Sequence, residues 1–305
     1  DWKRPTAVVE AGRLTTSVYN GQPDPFNGNA IASCAPTGAL LPDGKPIAVL
    51  CKKVEQATLD TTGGAGLNIG GVPADAGDSG FANVGLLLHG DGANGSTLVP
   101  DSSPTPKVVT ATGSARVSTL SAKYGGASLW RPIGSANYLS IPASNDFLFG
   151  TGSFTIEAWV KRGAALSGQP YRIWDSRSGS IGLTLALGQT NGVVYLGHSA
   201  LTWNSGTLGA APGVWTHIAA TYDGVNVRTF VNGVLGSTTA ASINHTTQST
   251  AYIGVSKAMS TDGGEFYLDD FRITKGVARY TSAFTPPTAT LGSSVAGSPG
   301  LPSLI

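Results

Sequence analysis

With 305 residues, a net charge of +1 and only 12% charged side chains, the chain has about half the charge density of an average soluble protein. It therefore offers no electrostatic basis for gripping nucleic acid or an anionic membrane. Glycine fills 42 positions and hydrophobic residues make up 41%, a turn-rich composition with enough apolar content for a core, which favours an all-β protein. No apolar run approaches the ~18 residues of a membrane span, so no membrane insertion is expected, and no signal peptide opens the chain at Asp1.

In chain order, residues 1–84 stand apart. Brief β-like runs, Leu14–Tyr19 and Pro46–Lys52, lie between clusters of Pro, Gly and Asn, and no helical period is sustained. Thr61–Asn83 is too rich in glycine to supply much core. This quarter reads as an extended arm that gains order by packing on neighbours, or as a small independent β region. Cys34 and Cys51 are the only cysteines; one disulfide would suit an extracellular particle, and two reduced thiols would suit cytoplasmic synthesis. Both readings stand.

From Leu86 the texture changes to regular strands. LLLH leads into a long Gly/Asp/Asn loop. Asn137–Pro142, Ser153–Lys161, Tyr171–Trp174, Ile181–Leu187, Val193–His198, Ala251–Val255 and Glu265–Thr274 follow, with turn residues between them. In Ser153–Lys161 the residues Phe154, Ile156, Ala158 and Val160 alternate with Thr155, Glu157, Trp159 and Lys161, a half-buried strand. Trp215–Thr238 reads as a three-stranded meander with two-residue turns at Asp223-Gly224 and Asn232-Gly233. That register sets Tyr222 against Val225, Ala220 against Val227, Ile218 against Thr229 and Val231 against Val234. One face is then apolar, and the other, with His217, Arg228 and Phe230, is partly wet. Strand spacing of about 8–12 residues predicts a two-layer antiparallel sandwich over 85–291, closed by a Gly/Ser/Pro tail at 292–305.

The stretches LLLHGDGANGST…DSS, FTIEAWVK, WTHIAATYDGVNVRTFVNGV, YIGVS and FYLDDFRITKGVARYTSAFTPPTA together resemble a laminin-G-like, concanavalin A-like jelly roll, of the kind found in tailed-phage virion proteins. The resemblance spans Leu86 to Leu291. It departs from the family pattern at Gly90-Asp91-Gly92 and at Trp130–Ser135, both in rim loops. It implies an outward-facing lectin-like domain and, because related domains hold calcium at a rim, a calcium site at Asp91, Asp101, Asp269 and Asp270.

Glycosidases of this class need two carboxylates across one cleft. The four glutamates, Glu10, Glu55, Glu157 and Glu265, form no such pair, and Glu157 is expected to pair with a cation such as Arg272. No Ser-His-Asp order or nucleophile elbow is present, and His89, His198, His217 and His245 lack zinc-ligand spacing. Carbohydrate binding would use aromatic faces: Trp203, placed in a polar loop, with Trp159, Tyr171 and Tyr195.

The expected function is that of a non-enzymatic structural protein at a phage virion surface, as a capsid decoration or a short fibre or tail component. Residues 1–84 would attach it to other virion proteins, with self-association into a homo-oligomer, and the jelly roll would bind a host-surface glycan. A free secreted lectin or adhesin is the alternative, and a polysaccharide-degrading enzyme comes last.

Overall fold

Runs of branched and aromatic residues, closed off by glycine turns, become strands almost throughout. The computed structural model describes residues 9–10, 13–14, 77–164, 169–178, 181–198, 202–257 and 264–294. The chain divides into two compact units, Asp1–Ala74 and Asp75–Ile305. In the first, β1 (Val9–Glu10) pairs antiparallel with β2 (Arg13–Leu14). The run Pro46–Lys52, most of Leu14–Tyr19, and both cysteines lie outside the described residues.

The second unit holds the remaining strands: β3 (Val84–Leu88), β4 (Thr110–Thr112), β5 (Arg116–Ser118), β6 (Ser128–Arg131), β7 (Tyr138–Ile141) and β8 (Phe154–Arg162). There follow β9 (Tyr171–Asp175), β10 (Thr184–Leu187), β11 (Val193–His198), β12 (Thr202–Gly209), β13 (Thr216–Tyr222), β14 (Asn226–Val231), β15 (Val234–Ala240), β16 (Ala251–Ile253) and β17 (Phe266–Lys275). They build two antiparallel sheets. One is seven-stranded, ordered β12-β11-β10-β9-β16-β7-β4. The other is eight-stranded, ordered β15-β14-β13-β8-β17-β6-β5, with β3 also paired to β17. The all-β sandwich expected from strand spacing is the observed fold.

The core lies between the sheets. Phe154, Ile156, Ala158 and Val160 of β8 point inward with Ile218, Ala220 and Tyr222 of β13, facing Leu185, Leu187, Val194 and Leu196 of the other sheet. Trp174, fully buried, packs between Phe147 (5.1 Å) and Phe271 (5.7 Å). Four strands of this unit went unread in the sequence: β4, β5, β6 and the eight-residue β12. Each of the first three has only three or four residues, too few for alternation to stand out.

Two readings of the meander need correction. Tyr222 pairs with Val227, Ala220 with Thr229 and Ile218 with Val231, so the register lies two residues beyond the expected one and three residues, 223–225, separate β13 from β14. Asp223 is the reason. Its Oδ1 accepts from the N–H groups of Val225 (2.9 Å) and Asn226 (2.6 Å), and its Oδ2 accepts from Arg228 (2.6 Å), which holds a wider loop. The slip is even, so the inward face kept its residues. Val231 opposite Val234 is as expected.

The second correction concerns the face opposite the core. Thr221 (0% exposed), His217 (1%) and Phe230 (0%) are not wet. Residues 276–291 run back across this face as a strap: Tyr280 and Phe284 stack on each other at 3.5 Å, with both rings edge-on to Phe230 and His217. Phe284 N–H donates to Gly233 O (2.9 Å), Thr221 Oγ1 to Tyr280 O (2.8 Å), and Tyr124 Oη to Pro287 O (2.7 Å).

β17 carries the feature that shapes the rest. Asp269 faces Trp159 and Arg272 faces Glu157, so one extra residue enters between them as a β-bulge, with Asp270 at φ 47°. Before the bulge β17 pairs with β6, and beyond it with β3.

Candidate functional site

The outward side of the eight-stranded sheet concentrates most of the polar chemistry, in three zones. Under the strap, Glu157 is fully buried. Arg272, its cross-strand neighbour, donates to Glu157 Oε1 from Nε (2.9 Å) and Nη2 (2.7 Å); Tyr280 Oη donates to Oε2 at 2.7 Å, and His217 Nε2 stands 3.3 Å from that oxygen. Arg272 Nη1 reaches Asp78 Oδ2 (2.9 Å), which Arg279 also clamps with two donors. Burial pushes the Glu157 carboxyl up, but the Arg272 charge and the His217 and Tyr280 hydrogen bonds outweigh it and hold the group well below the usual carboxylate range. The expected Glu157–Arg272 pair is therefore present. A carboxylate held ionised, buried and fully hydrogen-bonded is unsuited to act as a glycosidic acid or nucleophile. Asp78 belongs to this network, so the folded second unit takes in residues ahead of 85.

The bulge forms the second zone. Asp270 Oδ1 meets His89 Nδ1 at 2.6 Å, and Asp270 Oδ2 accepts from Leu291 N–H at 2.9 Å. Asp269 Oδ2 accepts from the N–H groups of Lys123 (2.8 Å) and Tyr124 (3.1 Å). Burial pushes the Asp269 carboxyl up to about 7, outweighing those N–H donors, with the charges of Asp270 and Asp91 adding to it. This raised carboxyl beside a second one resembles an acid pair on paper, yet Asp269 is 2% exposed and Asp270 1%.

Because its folded pKa lies above the ordinary Asp value, Asp269 binds its proton more tightly in the folded chain, and stability falls as pH rises from about 4 to 7. Asp269→Asn, which keeps an acceptor for the two N–H groups, should therefore gain on the native chain between pH 5 and pH 8. Urea denaturation at both values checks this; an unchanged difference would rule out titration of Asp269 in that window.

The calcium set does not assemble as expected. Asp101 directs both oxygens at nearby donors: Leu87 N–H of β3 (3.0 Å), and in its own loop Ser103 N–H (2.9 Å), Ser103 Oγ (2.9 Å) and Lys107 N–H (2.7 Å). Asp91, Asp269 and Asp270 do act on one another electrostatically, but the latter two are taken up by backbone N–H groups and His89. These residues do not fit a site that needs several convergent free oxygens. Among the described residues, no group of three or more His, Cys, Asp or Glu could hold a metal ion.

The third zone lies beyond the strap. Register sets Arg116, Trp130, Tyr267 and Lys161 side by side across β5, β6, β17 and β8. The row spans three inter-strand spacings, roughly 14 Å. All four are partly exposed. Arg116 Cζ lies 4.5 Å from the Trp130 ring centroid, and Trp130 and Tyr267 stack at 6.5 Å with 28° between planes. Trp130 Nε1 donates to Glu265 Oε2 at 3.4 Å, and Lys161 Nζ donates to Ser121 Oγ at 3.1 Å. Beside the row, Lys123 Nζ sits 3.9 Å over the Trp159 ring. Aromatic surface flanked by donors and one carboxylate is the chemistry that recognises sugars, with apolar ring faces against C–H groups and polar groups for hydroxyls.

The row was missed in the sequence. Its only local signal was the bracketing of Ser128–Arg131 by Gly125-Gly126 and Pro132, since four residues are too few to show a period. The aromatics chosen instead fare differently. Trp159 is 6% exposed, edge-on to Tyr124 and His217 beneath Lys123. Tyr171 is a core residue whose hydroxyl donates to Gly163 O (3.0 Å). Tyr195 is half-buried on the other sheet, opposite Ala186 and Ser205. Trp203 belongs to a strand, opposite Gly197, and not to a loop.

Residues 134–279 match the family described as Concanavalin A-like lectin/glucanases superfamily. No curated protein matches the chain. Solved structures that resemble it include one of botulinum neurotoxin type C, which depends on interaction with two ganglioside molecules to enter cells (14% identity, 65% of this chain, 49% of that one, TM-score 0.51). Others are the receptor-binding domain of a botulinum neurotoxin C/D mosaic serotype (15%, 65% and 49%, 0.51) and the binding domain of Paraclostridial Mosquitocidal Protein 1 (13%, 67% and 50%, 0.51). The chain spans about half the length of these structures, and identity this low carries the fold alone. Strand order and the family match agree on the fold: the two-sheet antiparallel sandwich is concanavalin A-like.

Proposed function

We propose that the sandwich is a non-enzymatic carbohydrate-recognition module displayed on a bacteriophage particle, with the residues ahead of Asp75 as its attachment to other virion proteins. The observation that carries recognition is the partly exposed row Arg116–Trp130–Tyr267–Lys161, the aromatic strip the strap leaves uncovered on this sheet. Against catalysis stand the locked Glu157 and the buried Asp269–Asp270 pair. The similar solved structures are themselves described as binding domains, which agrees with a recognition role. Attachment to a particle rests on the resemblance to tailed-phage domains and on the first quarter's brief β-like runs broken by Pro, Gly and Asn clusters.

A glycan array probed with the full chain tests recognition. Binding is expected in the micromolar-to-millimolar range, and Trp130→Ala should weaken it about tenfold or more, given the share of contact area a tryptophan supplies. A chain that binds no glycan, or binds unchanged without Trp130, defeats the reading. Attachment predicts that deletion of residues 1–74 abolishes co-purification with virions; the deletion must stop before Asp78, whose side chain belongs to the folded network.

A further inference from the structure

We infer that the row takes an acidic glycan, a saccharide carrying a carboxylate, sulfate or phosphate, with Arg116 as the anion-reading residue. This rests on the recognition role proposed above and adds the ligand's charge class. The basis is how the chain disposes of its cations. Arg177, Arg228, Arg272 and Arg279 each donate to carboxylates. Arg131 and Arg162 face into the sandwich rim and donate to loop carbonyls, Gly264 O (2.8 Å) and Ala210 O (2.6 Å) among them.

Arg116 differs. Among the described residues it has neither a carboxylate nor a carbonyl partner, and its guanidinium lies against the Trp130 ring. The ring contact at 4.5 Å restrains the guanidinium of this partly exposed residue, and no acceptor among the described residues takes its N–H groups, which suits bidentate capture of a planar or tetrahedral anion. Lys161 closes the far end of the row and Lys123 flanks it, and neither has a carboxylate partner among the described residues. Three cations without counter-ions thus converge on one aromatic strip of a chain whose net charge is only +1.

Glu265 gives the row its second character. Held at Trp130 Nε1, it is an acceptor for sugar hydroxyls and a repulsive charge toward a continuous polyanion. A ligand with spaced acidic groups and intervening hydroxyls meets both requirements. A nucleic-acid strand, charged at every residue, does not.

The test uses the full chain on an array with uronic-acid, sialylated, sulfated, phosphorylated and neutral glycans, with an oligothymidylate alongside. Acidic members should bind, more weakly at 300 mM than at 50 mM NaCl. Arg116→Gln should weaken the best acidic ligand about tenfold, and Arg116→Lys should recover only part, because a point charge lacks the fork. Lys161→Gln should cost several-fold, with unchanged melting temperatures showing that the variants fold. Neutral glycans bound through Trp130 without dependence on Arg116 would overturn the acidic class and leave the recognition role standing. No binding to any glycan would overturn both. Oligothymidylate bound more tightly than every glycan would replace the inference with a nucleic-acid one.

Discussion

Replacing Arg272 with leucine should lower the unfolding free energy by about 3–5 kcal/mol, the range for removing one partner of a buried ion pair. Leucine fills much of the aliphatic stem's space, so the loss is electrostatic rather than a cavity. Glu157, fully buried, would keep only Tyr280 and His217 as partners, and Asp78 would keep Arg279 and the Gly80 N–H. The pH dependence then separates this cause from a packing defect. In the native chain burial pushes both carboxyls up, but their cations and hydrogen bonds hold them below the ordinary range. They contribute stability present above the usual carboxylate pKa and lost as pH falls through the folded value.

Without Arg272, burial dominates at Glu157. The folded variant takes up a proton there, so its deficit against the native chain should shrink as pH falls from 7 to 5. Denaturant titrations at both pH values read this directly, and the double variant Arg272→Leu with Glu157→Gln should recover a substantial part of the loss. A deficit under 1 kcal/mol, or one that does not change with pH, would mean that strap packing rather than charge holds this zone together.

The Glu157–Arg272 pair also marks how far the sequence could be read. Its carboxylate stood alone on a strand face, so a cation on a neighbouring strand was the economical expectation, and alternation in Phe154–Lys161 placed that face correctly. Long alternating strands and Asn-Gly turns are local signals, and they carried the sandwich. What escaped was non-local. Nothing in TSAFTPPTA announces that Tyr280 and Phe284 lie over Phe230 and His217, so the outward face was read as wet when it is covered. The candidate site failed for the same reason: Trp159 alternates as an outward residue, but the outward face at that point lies under Lys123 and Tyr124. Trp130 sat in a four-residue strand flanked by Gly-Gly and Pro, too short to show a period, and its neighbours Arg116, Tyr267 and Lys161 come from three other strands. Only register brings them together.

Register likewise separates two turn glycines that look alike in the sequence. Gly224 has φ +97°, and a Cβ there would find only Thr151 O at 4.0 Å, so Gly224→Ala should cost about 1 kcal/mol, the left-handed backbone penalty alone. Gly233 has φ +76°, and its Cβ would fall 1.9 Å from Phe284 O, a main-chain atom of the strap. No rotamer relieves that overlap, so Gly233→Val must move the strap as well as strain the turn. Moving it breaks the Phe284 N–H bond to Gly233 O and pulls the Tyr280–Phe284 stack off Phe230 and His217, weakening the Tyr280 bond to buried Glu157. The expected cost is about 3 kcal/mol or more, the sum of backbone strain, lost aromatic burial and a weakened charged hydrogen bond. Residues 276–291 should also become the first site of limited proteolysis. Paired denaturation curves decide between these two roles: if both glycine variants lose about 1 kcal/mol and the strap stays protected, the second turn is only a turn, and the strap is anchored by the Glu157 network and Asp270 without it.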